Sequence, residues 1–369
     1  MLKILILLIL LPFTSHSFET KAKYAILIDA NTDSILFAKN PDIQMTPSSM
    51  SKLMTVYMVF DKLKNKEITL SDELSISEKA WRKQGSKMFV KIHESVALEE
   101  LLRGIIIQSG NDACIAVAEG FAGNEDSFAD LMNEKAKEIG LENSHFKNST
   151  GWPDEGHYMS ARDIATLSKR LINDFPEYYP YFSETEFVHN EIKQQNRNML
   201  LGKFPGVDGL KTGHTDEAGY GIATSATQKG RRLILVVNGL ASTNERAREA
   251  EALLQYGFMN FANVIFATKN KTVEDVPVWM SKDKTIPLTV KDDIIITLPK
   301  SEVNKVKAII KYNSPLVAPI KKNTKLGEIE IRTPNDEVKR YPLIAAKDIH
   351  KLGYFSRLLR NLDYHLFAK

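Results

Sequence analysis

The sequence predicts an α/β domain, an antiparallel sheet with helices plus an all-helical lobe, followed by a small all-β sandwich domain and a C-terminal amphipathic helix. Three observations carry this. Strand-like runs stand at both ends of the first two thirds of the chain, with helical patterns between them. Past residue 263 the text changes to short β-branched runs split by Lys, Asp, Asn and Pro. The last residues then place their leucines on one helical stripe.

The elements follow in order. Residues 1–17, "MLKILILLILLPFTSHS", have an early lysine, an apolar run and small residues near the end, the order of a secretory signal peptide. The run is short for a transmembrane span, and an uncleaved anchor is the alternative; either way the rest of the chain is expected to be exported. The first domain is expected over 18–262. It opens with two strands, about 24–29 and 34–39, joined by the turn-rich Ala30–Asp33. A strongly apolar helix follows in "PSSMSKLMTVYMVF". Helical patterns recur at about 98–120, 125–139 and 160–175, then strands at 219–227 and 231–241, and a helix at about 243–261. Two strands from each end of this region suggest one sheet closed by both, with the helical lobe inserted between them.

A β-sandwich is expected over 263–347, from "VPVWM", "IPLTV", "DIIITLP", "VKAIIKY" and "GEIEIRTP". It holds no clustered His or carboxylates and reads as a spacer or docking module. Over 348–369, Phe355, Leu358, Leu359, Leu362 and Leu366 share a stripe, with Arg357, Arg360, Asn361 and Asp363 off it. Such a helix suits a membrane surface; the alternative is packing on its own domain.

Composition excludes several classes. Of 369 residues, 49 are Lys or Arg and 46 Asp or Glu, for a net charge of +3, and the two signs are interspersed, so nucleic acid is not an expected partner. The single cysteine, Cys114, lies in an apolar helical pattern and excludes an internal disulfide framework. No HExxH pair and no Gly-x-Ser-x-Gly elbow occurs, so zinc-peptidase and Ser-His-Asp readings lack support, and no cofactor is expected.

The chemistry starts from Lys52, embedded among Met50, Leu53, Met54, Val56, Tyr57 and Val59. Residues three apart share a helical face, so Ser49 and Lys52 bring a hydroxyl beside an amine near a helix start. Burial disfavours the charged form, and a neutral lysine can take the serine proton. Taken alone, the pattern also fits a serine N-cap with a snorkelling lysine. Ser144–Lys147 and Ser281–Lys284 repeat the spacing in polar settings. Two further motifs change the reading: Ser109-Gly-Asn111 at a helix start, and Lys211-Thr212-Gly213 just ahead of a strand. Ser-x-x-Lys, Ser-x-Asn and Lys-Thr-Gly occur here in the order known from penicillin-binding proteins and active-site-serine β-lactamases.

With "LLRGIIIQSGNDACIAVAE", "KTGHTDEAGY" and "LLQYGF", the whole chain resembles a low-molecular-mass penicillin-binding protein, a serine-type D-alanyl-D-alanine carboxypeptidase of the class-A kind. The resemblance implies a transpeptidase/β-lactamase-like fold and a periplasmic enzyme, attached to the outer face of the cytoplasmic membrane, that trims peptidoglycan stem peptides and is inhibited by β-lactam antibiotics. It implies Ser49 as nucleophile, Lys52 as base, and the backbone N–H groups of Ser49 and His214 as oxyanion hole. Ser109 and Lys211 would relay a proton to the leaving amine, and Asn111 would position the peptide. Thr212, Arg197 and Arg246 would hold the terminal carboxylate, with Arg248 the alternative to Arg246, while Gly85 and Ser86 would edge the cleft. Gly213 completes the third motif, and His157 is expected in a loop rimming the cleft.

Three rivals stay in view. A class A β-lactamase would need a Glu and Asn four apart between the second and third motifs; Glu186 and Asn190 are such a pair but stand close to the third motif. A D,D-endopeptidase would use the same chemistry. A non-catalytic wall-binding scaffold would not need Ser49, Lys52 and Lys211 intact.

Overall fold

The computed structural model describes residues 18–334 and 336–354. The expected signal peptide and residues 355–369 of the expected tail helix lie outside the described residues.

Strands β1 (Tyr24–Asp29) and β2 (Ile35–Lys39) form the opening hairpin. A 3-10 turn at Ser48–Ser51 leads into α1 (Lys52–Lys64), with ten of its 13 residues buried. A helix apolar all round belongs in the interior, and α1 is the axis of the helical lobe. Around it stand β3 (Glu73–Ser75), α2 (Glu78–Arg82), β4 (Ser95–Ala97), α3 (Leu98–Arg103), α4 (Asn111–Ala122), α5 (Glu125–Glu138) and α6 (Ala161–Asp174). Asn124 and Ser160 cap α5 and α6 by accepting the N–H groups of Ser127 and Asp163. A hairpin, β5 (Glu186–His189) and β6 (Ile192–Gln195), precedes the meander β7 (Val207–Thr215), β8 (Gly219–Gln228) and β9 (Arg231–Leu240). Helix α7 (Thr243–Asn260) closes the unit, with Ser242 accepting the Glu245 N–H.

The main sheet is antiparallel in the order β2-β1-β9-β8-β7, so both ends of the domain do meet in one sheet. Side chains alternate across it. Ile26, Ile28, Ile234 and Val236 enter the core of the helical lobe, while Ala25, Leu27, Leu233, Leu235 and Val237 meet Ala250, Leu253 and Leu254 of α7.

Two expectations need correction. The Lys211–Gly213 motif is inside β7 rather than ahead of a strand, so the sheet has five strands and not four. Its glycines, in "GVDGLKTGHT", mask the strand signal. The helical pattern expected over 98–120 is broken: α3 runs into a π-helical turn at Gly104–Gln108, and Ser109 takes a left-handed φ of 66° before α4 begins.

The second unit contains β10 (Phe261–Ala267), β11 (Glu274–Trp279), β12 (Thr285–Thr289), β13 (Ile294–Pro299), β14 (Lys307–Tyr312), β15 (Leu316–Val317), β16 (Lys325–Arg332) and β17 (Val338–Ala345). One sheet runs β14-β16-β17-β12-β11-β15 and β10 pairs with β13, with one apolar core including Ile294, Ile296, Ile331 and Leu343. Strand β10 starts directly after α7, so the 262/263 division falls within a strand. At the other end Ile349 and Lys351, the start of the span expected as a tail helix, are extended and bridge to Ile320 and Ser281 of the sandwich. Polar groups fasten the junction. Buried Asp29 lies 2.6 Å from Arg231, which also donates to the carbonyls of Gly257 and Phe261. Asn263 donates to Asp29 across the boundary at 3.2 Å. Among the described residues, no helix is long and apolar enough to cross a membrane.

Candidate active site

Ser49 sits half-buried in the 3-10 turn, and Lys52, the first residue of α1, is 0% exposed. Lys52 Nζ has three oxygen neighbours: Ser49 Oγ at 3.0 Å, Asn111 Oδ1 at 2.8 Å and the Thr150 carbonyl at 2.5 Å. The Asn111 amide orientation is fixed, because its Nδ2 donates to the Gln84 carbonyl at 2.8 Å. A neutral amine carries two N–H donors and one lone pair. Asn111 and Thr150 can take the two hydrogens, which leaves the lone pair to receive the Ser49 hydroxyl proton. Burial lowers the Lys52 ammonium pKa to about 8, opposed by Cys114 and assisted by Arg197 and Lys83.

The second motif is delivered by strained backbone. The π-helical turn ends at Ser109, whose buried Oγ has no hydrogen-bond partner among the described residues. Asn111 opens α4 and its N–H donates to the Ser86 carbonyl at 2.7 Å, tying the 84–86 loop to the helix. Asp112, also buried, accepts from the N–H groups of Met88, Phe89 and Val90.

The third motif lies on the edge strand β7, which packs against the Ser49 turn. Gly213 is where they touch: a Cβ there would sit 3.0 Å from the Pro47 carbonyl and 3.1 Å from Ser48 Cβ. Lys211 and Thr212 are buried, and Lys211 Nζ donates to the Thr212 carbonyl at 3.1 Å. Burial, with Lys52 and Arg197 adding repulsion, holds Lys211 well below the usual lysine range. The exposed His214 ring stacks on Tyr220, centroids 3.8 Å apart. Arg197 donates to Ser86 Oγ at 2.7 Å, and Arg246 from α7 donates to the Arg197 carbonyl at 3.3 Å. Burial lowers both guanidinium groups, Arg246 to about 10.

A cleft opens on both sides of Ser49. One lobe, about 430 Å³, is lined by Ser109, Arg197, Thr212, Gly213 and Arg246 among others. The other, about 450 Å³, is lined by Gly85, Asn111, Trp152, Pro153, Asp216 and Glu217 among others. Ser49, Ser86 and His214 border both. The structure thus brings all three motifs together, with Arg197, Arg246 and Ser86. Arg248 instead lines a separate 290 Å³ hollow with Lys203 and Phe204. Glu186 and Asn190 line neither lobe: Glu186 pairs with Lys193 at 2.7 Å, and Asn190 reaches the Phe89 carbonyl.

With this geometry in view, the comparisons are direct. A family model described as D-alanyl-D-alanine carboxypeptidase matches residues 12–242. The chain belongs to this family. A second model, described as Penicillin-binding protein 5, C-terminal domain, matches residues 261–351. The carboxypeptidase DacD of Escherichia coli is 37% identical over 94% of this chain and 92% of its own. The carboxypeptidase DacF of Bacillus subtilis is 37% identical over 93% of this chain and 89% of its own. Penicillin binding protein 5 from Haemophilus influenzae superposes with a TM-score of 0.80 at 36% identity, covering 91% of this chain and 99% of that one. Penicillin-Binding Protein D2 from Listeria monocytogenes, in an ampicillin-bound form, has a TM-score of 0.61 at 28% identity, covering 66% and 99%.

As a D-alanyl-D-alanine carboxypeptidase family member, the protein is a hydrolase of the serine-peptidase type. Its sequence did not disclose every residue that shapes the site. Asn148 Oδ1 accepts the N–H groups of Thr150, Gly151 and Trp152, and so builds the loop that offers the Thr150 carbonyl to Lys52. Gly151, φ 73°, presses on the Ser49 turn so closely that a Cβ would lie 2.0 Å from the Ser48 carbonyl oxygen. The Asn-x-x-Gly pairing is the only local hint. His157 is a correction: it is buried beneath the turn, not on the cleft rim. Its Nδ1 accepts the Lys147 N–H, so Nε2–H donates to Ser51 Oγ at 2.8 Å. Burial depresses its pKa to about 4 and keeps the ring neutral. Cys114 is buried, with its thiol pushed up to about 12 by burial, as suits a structural residue.

Proposed function

We propose that Ser49 performs D-alanyl-D-alanine carboxypeptidation of peptidoglycan stem pentapeptides through a covalent acyl-enzyme. The observation that carries the reading is the three-way environment of Lys52 Nζ, with two acceptors and one hydroxyl around a desolvated amine. Lys52 removes the Ser49 proton as Oγ bonds to the carbonyl carbon of the penultimate D-alanine. The N–H groups of Ser49 and His214 receive the developing oxyanion. The carbon–nitrogen bond then breaks, and the proton reaches the departing amine through Ser109 and Lys211. Thr212, Arg197 and Arg246 hold the leaving residue's carboxylate, as suits a lobe with two partly desolvated guanidinium groups. Asn111 positions the peptide, and Gly85 and Ser86 border it. Water finally cleaves the ester, restoring the Ser49 hydroxyl and releasing the shortened peptide.

β-Lactams acylate the same serine and stall there. The exclusion of Glu186 and Asn190 from the cleft favours this over rapid β-lactamase turnover. Intact mass after incubation with a penicillin tests the reading: one adduct on the Ser49 peptide supports it, and an adduct elsewhere or none contradicts it. Ser49→Ala should abolish D-alanine release; undiminished release would exclude the serine mechanism and favour the scaffold reading.

In the same reading the enzyme is exported, and residues 348–369 attach it to the outer face of the cytoplasmic membrane. The apolar stripe and flanking arginines after Lys351 support this. Deleting residues 355–369 should free the protein from the membrane fraction, and unchanged retention would contradict it.

A further inference from the structure

We propose that the end of the sandwich from which the tail departs is a lysine-rich surface that binds anionic phospholipid headgroups. The inference rests on the membrane-surface reading above and adds a second, electrostatic contact to it. Charge is divided unevenly between the two units. Residues 18–260 carry 28 Lys and Arg against 34 Asp and Glu, whereas residues 261–351 carry 17 against 11. The first unit is therefore acidic and the sandwich basic, a polarity that draws one end of the molecule toward a negative surface and repels the other.

The sandwich's excess gathers where the chain leaves it. Main-chain hydrogen bonds bring three segments together there: Ile320 and Ile349 bridge at 3.0 and 2.8 Å, Asn323 donates to the Ala345 carbonyl at 2.9 Å, and Leu352 donates to the Met280 carbonyl at 2.8 Å. These segments carry Lys282, Lys284, Lys321, Lys322, Lys325 and Lys351, all exposed and none in an ion pair among the described residues. Their two carboxylates are Asp283, which pairs with Lys347 at 3.2 Å, and Asp348, which accepts the Lys322 N–H at 2.6 Å. Six unpaired lysines thus face one carboxylate outside an ion pair, and the repulsion among them is relieved by an anionic surface. Val317, 62% exposed, stands at the same end, because the Ala318 N–H donates to the Trp279 carbonyl at 3.0 Å, and it gives an interface an apolar contact among the cations. Two observations favour lipid as the occupant. The three segments contain lysine and no arginine, and flexible point charges suit a fluid array of phosphates where a fixed bidentate site would call for arginine. The apolar stripe of the tail also begins at Phe355, three residues beyond Leu352.

The test uses the full chain and sedimentation with vesicles of phosphatidylcholine, alone or with about 30% phosphatidylglycerol. A lysine near an anionic bilayer contributes about fivefold in binding. The Lys282→Gln/Lys321→Gln/Lys322→Gln protein should therefore bind the anionic vesicles about 10- to 100-fold more weakly than wild type, and the neutral ones within about twofold. These three positions lie far from the tail in sequence, so the loss reports the sandwich. A matched variant, Lys300→Gln/Lys305→Gln/Lys307→Gln, removes the same charge beside the junction, where Lys300 donates its N–H to the Asn260 carbonyl, and should lose no more than about threefold. Melting temperature and penicillin adduct formation check the fold of each. Equal losses in the two variants, or a wild type with no preference for anionic vesicles, overturn the lysine surface while leaving tail attachment standing. Neutral-vesicle binding that survives deletion of residues 355–369 sinks the tail reading instead. Lysine-dependent pelleting with purified cell-wall sacculi, and not with anionic vesicles, overturns the proposal in favour of a wall polymer.

Discussion

Acylation of Ser49 should follow the deprotonation of Lys52. With its pKa lowered to about 8, roughly one Lys52 in ten is neutral at pH 7. An exposed lysine would be neutral about 300-fold less often. The acylation rate should thus rise about tenfold per pH unit below pH 8 and level off above it. Stability must carry the same signature. Between about pH 8 and 10.5 the unfolded chain holds more protons at this site than the folded one, so stability rises with pH through that window. Below pH 8 the buried ammonium costs about 3 kcal/mol in full. Stopped-flow acylation by a chromogenic penicillin, from pH 5.5 to 9.5, reads the first effect, and urea unfolding across the same range reads the second. A flat acylation profile, or one falling as pH rises from 6 to 8, would refute a neutral lysine base.

Three further outcomes follow from packing and charge. Gly151→Ala must displace either its loop or the Ser48 carbonyl, so acylation should fall at least about tenfold and stability by about 2 kcal/mol or more, read by stopped flow and melting temperature. Asp29→Ala strips Arg231 of its carboxylate and Asn263 of its acceptor, and should cost about 3–5 kcal/mol in urea unfolding, with Arg231 nearly enclosed. Arg246→Ala should lower kcat/KM for the pentapeptide by about 10- to 100-fold through lost carboxylate binding, whereas Arg248→Ala, outside the cleft, should leave it within about twofold.

What the sequence disclosed and what it hid divide along physical lines. Lys52 was legible because a lysine among methionines and leucines violates burial rules, and such a violation calls for a function. Ser109-Gly-Asn111 and Lys211-Thr-Gly213 were legible as side-chain chemistry in order, yet β7 itself was hidden by its glycines. Gly213 is small because the Ser49 turn presses on it, which no strand propensity reveals. Arg246 and Arg248 could not be separated by periodicity, since both lie on a long helix and only packing decides which enters the cleft. The Thr150 carbonyl was invisible, because a main-chain acceptor leaves no mark in residue type. Asp112 looks like an ordinary acidic residue in a first helical turn, but its carboxylate clamps the 88–90 backbone instead. The sandwich followed from alternation, as in β13, where Ile294, Ile296 and Leu298 are buried in turn. Strand β10 was lost because it continues helix α7 without a turn, and β17 carries a mid-strand Pro342.

The charge state of Lys52 can be observed directly. In protein labelled with 13C at lysine Cε, one resonance, absent from Lys52→Met, should titrate with a midpoint near pH 8. A Lys52 resonance that keeps the ammonium shift up to pH 10 would contradict the account at its centre.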